Sequence, residues 1–135
     1  MKTSRLLFAA AALAFAATGH AQSNAVQTLP SGVRVETVTA GKGINPTADS
    51  TVTVNYRGTL TNGTEFDSSY KRNEPISFSL RQVIPCWTEG IQKMAVGGKA
   101  VLFCPAKTAY GSRGAGGVIP PNADLKFEVE LLGVR

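Results

Sequence analysis

Aromatic side chains supply most of the residues in this 135-residue chain that could form a ligand site. Eight of them lie beyond residue 50, namely Tyr56, Phe66, Tyr70, Phe78, Trp87, Phe103, Tyr110 and Phe127. A ring at strand or helix spacing is normally buried, so core packing is the default role of each. Asp67 directly follows Phe66 and could simply cap the turn at Ser68-Ser69. Tyr110 differs, because it lies in a glycine-rich stretch where a core ring is unexpected.

Familiar catalytic motifs are missing from the sequence. It contains no G-x-S-x-G, no H-E-x-x-H and no Walker loop, and no paired carboxylates stand out. The single histidine, His20, falls in an N-terminal segment that we expect to be removed. The remaining chain would then lack an imidazole for general-base or triad chemistry and for metal ligation. We expect neither a metal nor a cofactor.

The first 21 residues have the three parts of a secretory signal peptide. Lys2 and Arg5 supply the positive start, 6–17 the apolar stretch, and small residues lead up to Ala21. Twelve apolar residues are too few to span a bilayer, which needs about 20. No cysteine follows Ala21, which argues against a lipid anchor. We expect an exported chain of 114 residues, in a Gram-negative periplasm or secreted from another kind of cell.

The charge that remains after cleavage is mildly basic. Loss of Lys2 and Arg5 leaves 12 basic residues against 9 acidic ones, a net charge of +3. A nucleic-acid-binding protein concentrates Lys and Arg in a run or patch, and no such run occurs. We therefore expect no nucleic acid among the partners. No other apolar stretch could span a membrane, so we also expect no membrane association after signal cleavage.

Alternating apolar and polar residues predict a β-rich domain. The predicted strands lie at 33–38, 51–60, 65–69, 76–80, 100–104 and 125–131. Trp87, Ile91 and Met94 have helical spacing instead, with Pro85 ahead of them and two glycines behind. The predicted fold class is α+β, in which an antiparallel sheet has one short helix covering its apolar face.

The connections between these elements carry their own signals. Residues 22–31 show no pattern and are predicted to be a flexible arm, so that the folded domain covers 32–135. Asn62-Gly63 predicts a type I′ hairpin turn. The glycine- and proline-rich stretch 105–124 is long for a compact domain, and loops of that length tend to be functional.

Two cysteines, Cys86 and Cys104, remain after cleavage, too few for a structural zinc site. An oxidising compartment and an even count favour a disulfide. Two buried free thiols are the alternative, because cysteine often behaves as a small apolar residue.

Six short segments stand out by residue type and order. They are Val54-Asn-Tyr56-Arg-Gly58, Phe66-Asp67-Ser-Ser69, Arg72-Asn73-x-Pro75, Val83-Ile84-x-x-Trp87-x-Glu89-Gly90, Ala109-Tyr110-Gly111 and Ile119-Pro120-Pro121-Asn122-Ala123-x-Leu125-x-Phe127. In this order and spacing they resemble the FKBP-type peptidyl-prolyl cis-trans isomerases, and the match runs from about 33 to 135. The resemblance implies an antiparallel sheet wrapped around one short helix. It also implies an enzyme that accelerates rotation about X–Pro bonds without covalent chemistry.

The resemblance further implies a pocket between helix and sheet. Its walls would be formed by Tyr56, Phe66, Asp67, Ile76, Val83, Ile84, Tyr110, Ile119 and Phe127. Trp87 would be the floor under the proline ring, and the Tyr110 hydroxyl and the Ile84 amide would bond ligand carbonyls. Asp67 would accept hydrogen bonds in the pocket, steadied by Arg72. Catalysis is expected from Asp67, Tyr110, Phe66 and Phe127.

The chain also departs from the pattern of this family. Cys86 replaces a position that is usually glycine, and Cys104 replaces a small polar residue, which suggests a bridge between the helix start and a strand. Ile76 stands where relatives often have an aromatic residue.

The partners implied are proline-containing polypeptides and macrolide inhibitors of the tacrolimus type, with the chain acting as a monomer. The alternative is a periplasmic chaperone or proline-motif binding module that uses the same pocket with little turnover.

Overall fold

One antiparallel sheet dominates the computed structural model, which describes residues 25–135. The elements are β1 (Ala25–Thr28), β2 (Arg34–Thr39), β3 (Thr51–Leu60), β4 (Glu65–Ser68), β5 (Ile76–Ser79), α1 (Pro85–Ile91), β6 (Lys99–Cys104) and β7 (Leu125–Val134). The strand order is β1–β2–β6–β7–β3, and β4 and β5 pair with different parts of the remaining edge of β3. The predicted α+β class is confirmed. The predicted signal peptide, including His20, lies outside the described residues.

The central pair of strands, β3 and β7, shows why alternation specifies the sheet. Their ladder runs from the pair Val52–Val134 to the pair Leu60–Leu125. In β7 the apolar residues of the alternating pattern are buried, while Lys126 and the glutamates between them face outward. Each apolar side chain buried in this way stabilises the fold by about 1.5–3 kcal/mol. The inner face of the sheet is therefore the core.

Helix α1 packs its buried face on that core. Pro85 suits the first turn because a helix leaves its first N–H groups without intrahelical acceptors. Gly90 lets the helix approach β6 closely, since a Cβ there would lie 3.0 Å from a methyl carbon of Leu102. The helix ends at Ile91, earlier than the apolar spacing indicates, and Met94 is buried in the turn that follows. Between 25 and 135 no helix is long and apolar enough to cross a membrane.

The structure differs from the predicted flexible arm at Ala25–Thr28, which forms edge strand β1 on β2. All four residues of β1 are exposed, so the sequence has no alternation of buried apolar and exposed polar residues that would predict the strand. Its pairing rests on backbone hydrogen bonds, which have no side-chain signature. The next residue, Leu29, is buried, and its carbonyl accepts a hydrogen bond from the Gly32 amide at 2.9 Å, which turns the chain into β2.

The β3–β4 hairpin lies where it was predicted, but its turn is of another type. Only Gly63 of the Asn62-Gly63 pair has a positive φ (+92°), whereas a type I′ turn needs two. The Gly63 amide donates to the Leu60 carbonyl at 2.9 Å, and the Asn62 side chain accepts from the Thr64 amide. This is the three-residue hairpin in which glycine forms a bulge after the turn.

A disulfide joins Cys86 at the start of α1 to Cys104 at the end of β6, and their Cα atoms lie 5.6 Å apart. Of the two alternatives left open by the sequence, the bridge is the one present. Both cysteines are fully buried. The bond therefore fixes the helix start to the strand from which the long loop 105–124 departs.

Candidate functional site

A cavity of about 430 Å³ opens between α1 and the inner face of the sheet. It is lined by Tyr56, Phe66, Asp67, Phe78, Gln82, Val83, Ile84, Trp87, Tyr110 and Phe127. Six of these ten residues carry aromatic rings, so the lining is mostly apolar. They come from β3, β4, β5, β7, α1 and two connecting segments, so the cavity exists only when the whole domain is folded.

Trp87 lies at the centre of this aromatic lining. Its ring stands nearly perpendicular to those of Tyr56, Phe78 and Phe127, with centroid distances of 5.2, 5.2 and 5.3 Å. Edge-to-face pairs of this kind contribute about 0.5–1.5 kcal/mol each beyond their buried area. The indole N–H is buried and finds no acceptor among residues 25–135. The three edge-to-face contacts therefore hold the Trp87 ring in place at the base of the cavity.

Gly58 permits the close approach of two rings on the cavity wall. A Cβ on Gly58 would lie 2.6 Å from the Phe66 ring and 2.8 Å from the Phe127 ring. These distances are too short for any larger residue unless the rings move. Gly58 thus sets the position of two aromatic walls without contributing a side chain.

The polar wall of the cavity is a carboxylate held by three donors. The Tyr56 hydroxyl donates to Asp67 Oδ2. Arg72 Nη1 and the Ser68 amide donate to Asp67 Oδ1 at 3.0 and 2.9 Å. Arg72 Nη2 also reaches the Tyr56 hydroxyl oxygen at 3.4 Å. Every oxygen of the carboxylate is therefore engaged within the protein.

These contacts move two pKa values in opposite directions. Burial by itself raises the pKa of the Asp67 carboxyl, but the hydrogen bonds from Tyr56, Arg72 and Ser68 outweigh it and leave that pKa below its ordinary value. Burial, followed by the hydrogen bond to Asp67, raises the pKa of the Tyr56 hydroxyl. Asp67 is consequently ionised and Tyr56 neutral at physiological pH.

Local structure after β4 brings Arg72 to Asp67. A short 3-10 helix, Tyr70–Arg72, turns the chain back and ends at Asn73, whose φ is +51°. Ser69, fully buried, ties this turn to β3. Its hydroxyl accepts from the Tyr56 amide at 2.8 Å and lies 2.9 Å from Asn55 Oδ1. The same turn therefore positions Tyr56, Asp67 and Arg72 together.

Donors that are free for a ligand lie at the cavity, and they include the Ile84 amide and the Tyr110 hydroxyl. The Ile84 carbonyl accepts a hydrogen bond from the Trp87 amide. The backbone N–H of Ile84 itself has no acceptor among the described residues. The Tyr110 hydroxyl likewise has no partner within 25–135, and the residue is 40% exposed. Both residues line the cavity, so a ligand with two carbonyl oxygens could accept from them.

Most of the residues proposed for the pocket from the sequence are brought together. Eight line the cavity, namely Tyr56, Phe66, Asp67, Val83, Ile84, Trp87, Tyr110 and Phe127. Arg72 lies behind Asp67 as expected. Ile76 and Ile119 are not among the lining residues. Ile76 pairs with Val54 and packs on the core, and Ile119 is buried in the long loop, where it bridges to Ala115.

Two lining residues were missed from the sequence, Phe78 and Gln82. Phe78 follows Ile76 by two residues and therefore shares its strand face. That spacing could have identified it, because its larger ring reaches Trp87 and Tyr56. Gln82 lies in the turn after β5, where its backbone amide donates to the Ser79 carbonyl. No feature of the sequence indicates that Gln82 lines the cavity.

The family model for FKBP-type peptidyl-prolyl cis-trans isomerases matches residues 42–132. This match covers more than half of the chain, which therefore belongs to that family. FkpA of Aeromonas hydrophila, named as an isomerase of this type, is 50% identical over 116 residues, 86% of this chain and 43% of that protein. FK506-binding protein 1 of Dictyostelium discoideum is 54% identical over 103 residues, 75% of this chain and 96% of that protein.

Solved structures agree with this assignment. The crystal structure of FkpA from Escherichia coli superposes with a TM-score of 0.79 at 48% sequence identity, covering 87% of this chain and 55% of that one. The expected architecture, a sheet around one short helix, is thus confirmed. The present chain spans less than half the length of the curated FkpA proteins, 43% of one and 42% of another.

Proposed function

We propose that this chain is a peptidyl-prolyl cis-trans isomerase that accelerates rotation about X–Pro bonds in exported polypeptides. The observation that carries the proposal is the cavity itself. It has an aromatic floor at Trp87, free donors at its edge and an ionised carboxylate in one wall. Membership in the isomerase family supports the same activity.

The substrate would place its proline ring on Trp87, against the walls formed by Phe66 and Phe127. The Ile84 amide and the Tyr110 hydroxyl would then donate to carbonyl oxygens on either side of the proline. Such contacts fix the chain while leaving the X–Pro bond free to turn. Phe78, found only in the structure, would add a further wall.

Catalysis follows from the difference between the planar and the twisted amide. Rotation costs about 18–20 kcal/mol because the amide loses its resonance, and without help it takes roughly 10–100 s. The planar amide is the more dipolar form, so transfer from water to an apolar cavity disfavours it more than the twisted form. No bond is made or broken, so no nucleophile or proton transfer is required.

Asp67 would tune this effect rather than react. Its carboxylate is engaged by Tyr56, Arg72 and Ser68, so it is fixed in place. A fixed negative group at the wall resists a carbonyl oxygen on that side and so favours one direction of twist. Tyr110, in contrast, would bind the substrate by donating a hydrogen bond to its carbonyl.

The proposed partners are proline-containing polypeptides, with macrolides of the tacrolimus type as inhibitors of the same cavity. The aromatic lining and the free donors support both ligands. The proposed location is the periplasm, reached by export and cleavage of the signal peptide after Ala21. The proposed isomerase domain includes strand β1 (Ala25–Thr28) and acts as a monomer. Support for the location comes from the charged, apolar and small-residue parts of the first 21 residues.

The test is an NMR exchange measurement on a peptide with one X–Pro bond. The wild type should accelerate interconversion, Phe127→Ala should lose most of the effect, and Asp67→Ala should reduce it. A folded wild type that binds the peptide without accelerating exchange would contradict the proposal and favour a binding module.

A further inference from the structure

A second cavity, of about 450 Å³, lies at one end of the sheet and shares no lining residue with the first. Its rim is formed by the turn before β2, the β3–β4 hairpin and the segment that leaves β6. This volume falls in the range of about 300–1,000 Å³ that is usual for ligand sites. We call it the outer cleft, and its floor consists of Arg34, Thr59, Phe103 and Lys126.

The floor of the outer cleft is one row of residues across four neighbouring strands. Arg34 of β2 is paired with Phe103 of β6, Phe103 with Lys126 of β7, and Lys126 with Thr59 of β3. Residues paired in this way point to the same face of a sheet. The residues that alternate with them, such as Leu102 and Leu125, are buried in the core. The row therefore lies on the outer face, away from α1.

Two cations flank the aromatic ring in this row. The Arg34 guanidinium carbon lies 4.4 Å from the centre of the Phe103 ring, a cation–π contact. None of the ion pairs formed among residues 25–135 involves Arg34 or Lys126, whereas Arg57, Lys71, Arg72 and Arg81 are all paired. Strands lie about 4.8 Å apart, so the backbones of Arg34 and Lys126 are separated by about 10 Å.

The walls of the cleft are suited to a polypeptide. Leu60 and Pro105 are apolar, so the cleft combines an apolar centre with positive charge on both sides. Gly63 leaves the rim open, because a Cβ there would meet no atom within 4 Å. An extended polypeptide ligand can therefore run across the row.

Nearby acidic residues argue against a long polyanion. Glu36 and Glu128 stand in the next row of the same face, opposite Val101 of β6. Asp124 lies on the rim, held by the Ala106 amide at 2.9 Å. Any ligand in the cleft meets Asp124, but a phosphate backbone or an anionic bilayer would also reach Glu36 and Glu128, whereas a short acidic segment confined to the cleft would not.

From this arrangement we propose that the outer cleft binds an acidic polypeptide segment in which an apolar side chain is flanked by Asp or Glu. The apolar side chain packs on Phe103, and the carboxylates pair with Arg34 and Lys126. This site is separate from the isomerase cavity and does not depend on its activity.

The test is an NMR titration of the whole protein with a proline-free peptide of core Glu-Leu-Glu. Amide signals of Arg34, Phe103 and Lys126 should shift. Lys126→Gln should weaken binding about tenfold, as expected for the loss of one charge-assisted contact, and Lys126→Arg should retain it. Lys99→Gln is the matched control, because Lys99 is an exposed lysine of β6 outside the cleft. This variant should bind like the wild type.

Four further titrations decide the ligand class and the site. A Gln-Leu-Gln peptide should not bind, and a macrolide that fills the isomerase cavity should leave the Glu-Leu-Glu titration unchanged. The proposal is overturned by equal binding of the Gln peptide, by equal affinities of the Lys126→Gln and Lys99→Gln variants, or by shifts confined to the isomerase cavity. Tighter binding of a short DNA duplex or of phosphatidylglycerol vesicles to the cleft also overturns it.

Discussion

Asp67 is the residue at which the polar and apolar parts of the isomerase cavity meet. Its carboxylate accepts from Tyr56, Arg72 and Ser68, and the residue lines the same cavity as Phe66. A group that is held ionised in the folded state links the pH of the solution to the stability of the fold. The consequence can be measured without any substrate.

The pKa of Asp67 is lower in the folded protein than the value of about 3.9 in an unfolded chain. Its ionised form therefore stabilises the fold above about pH 4, and this contribution is lost as the pH falls through the lowered folded pKa. The gap in unfolding free energy between the wild type and Asp67→Asn should be larger at pH 6 than at pH 3, by urea denaturation. Asp49→Asn, which breaks a surface pair with Arg81, is the control. A gap that is the same at both pH values would refute this linkage.

Tyr110 offers a cleaner separation of binding from stability. Its hydroxyl has no partner among residues 25–135, so Tyr110→Phe removes nothing from the fold and should change stability by less than about 0.5 kcal/mol. The same change removes a donor to the substrate, so KM should rise several-fold in the exchange assay. Unchanged KM would show that this hydroxyl does not contact the substrate.

At the scale of elements, β3 positions the aromatic walls through a residue with no side chain. Gly58→Ala would place a Cβ 2.6 Å from Phe66 and 2.8 Å from Phe127, so both rings must shift. We expect a loss of about 1–3 kcal/mol, typical of overpacking, together with reduced isomerase activity. Gly133→Ala in β7 is the matched control, since its Cβ would meet nothing closer than 3.9 Å. Equal behaviour of the two variants would contradict the tight packing described here.

The disulfide fixes α1 to β6 across a sequence separation of 18 residues. In the chain-entropy account a loop of this size stabilises the fold by about 3 kcal/mol. Reduction should therefore lower the unfolding free energy of the wild type by that order, measured by denaturation with and without a reductant. The Cys86→Ala, Cys104→Ala double variant should be insensitive to the reductant. A wild type equally insensitive, with reduction verified by mass, would show that the bond contributes little.

Elements with side-chain patterns were predictable from sequence, and those without were not. The alternation in β3 and β7 specified both strands, and the spacing of Trp87 and Ile91 specified α1. Strand β1 was not predicted, because its stability comes from backbone pairing at an edge of the sheet. The position of the hairpin turn was predicted correctly, but its type was not, because the Asn-Gly pair fits more than one turn geometry.

At the scale of the whole molecule, some residues of the candidate site were likewise predictable from the sequence and others were not. Eight lining residues followed from a resemblance spread over the full domain, since no single short segment brings more than three of them. Whether a side chain reaches the cavity depends on packing between distant elements. Ile76 therefore stays in the core while Phe78, on the same strand face, enters the lining. The packing role of Gly58 and the place of Gln82 in the lining also emerged only from the structure.

Within residues 25–135, the aromatic cavity inside the sheet and the outer cleft on its outer face are separate from each other. Only the first is expected to act on X–Pro bonds. A ligand that fills one should leave the other open, because the two share no lining residue.

The most direct test of the isomerase proposal is the rate of cis-trans exchange of one X–Pro peptide with the folded protein, with and without a tacrolimus-type macrolide. We predict acceleration well above the uncatalysed rate and its loss at about one macrolide per protein molecule. No acceleration by folded protein, or acceleration that survives a macrolide shown to be bound in the cavity, would contradict the account.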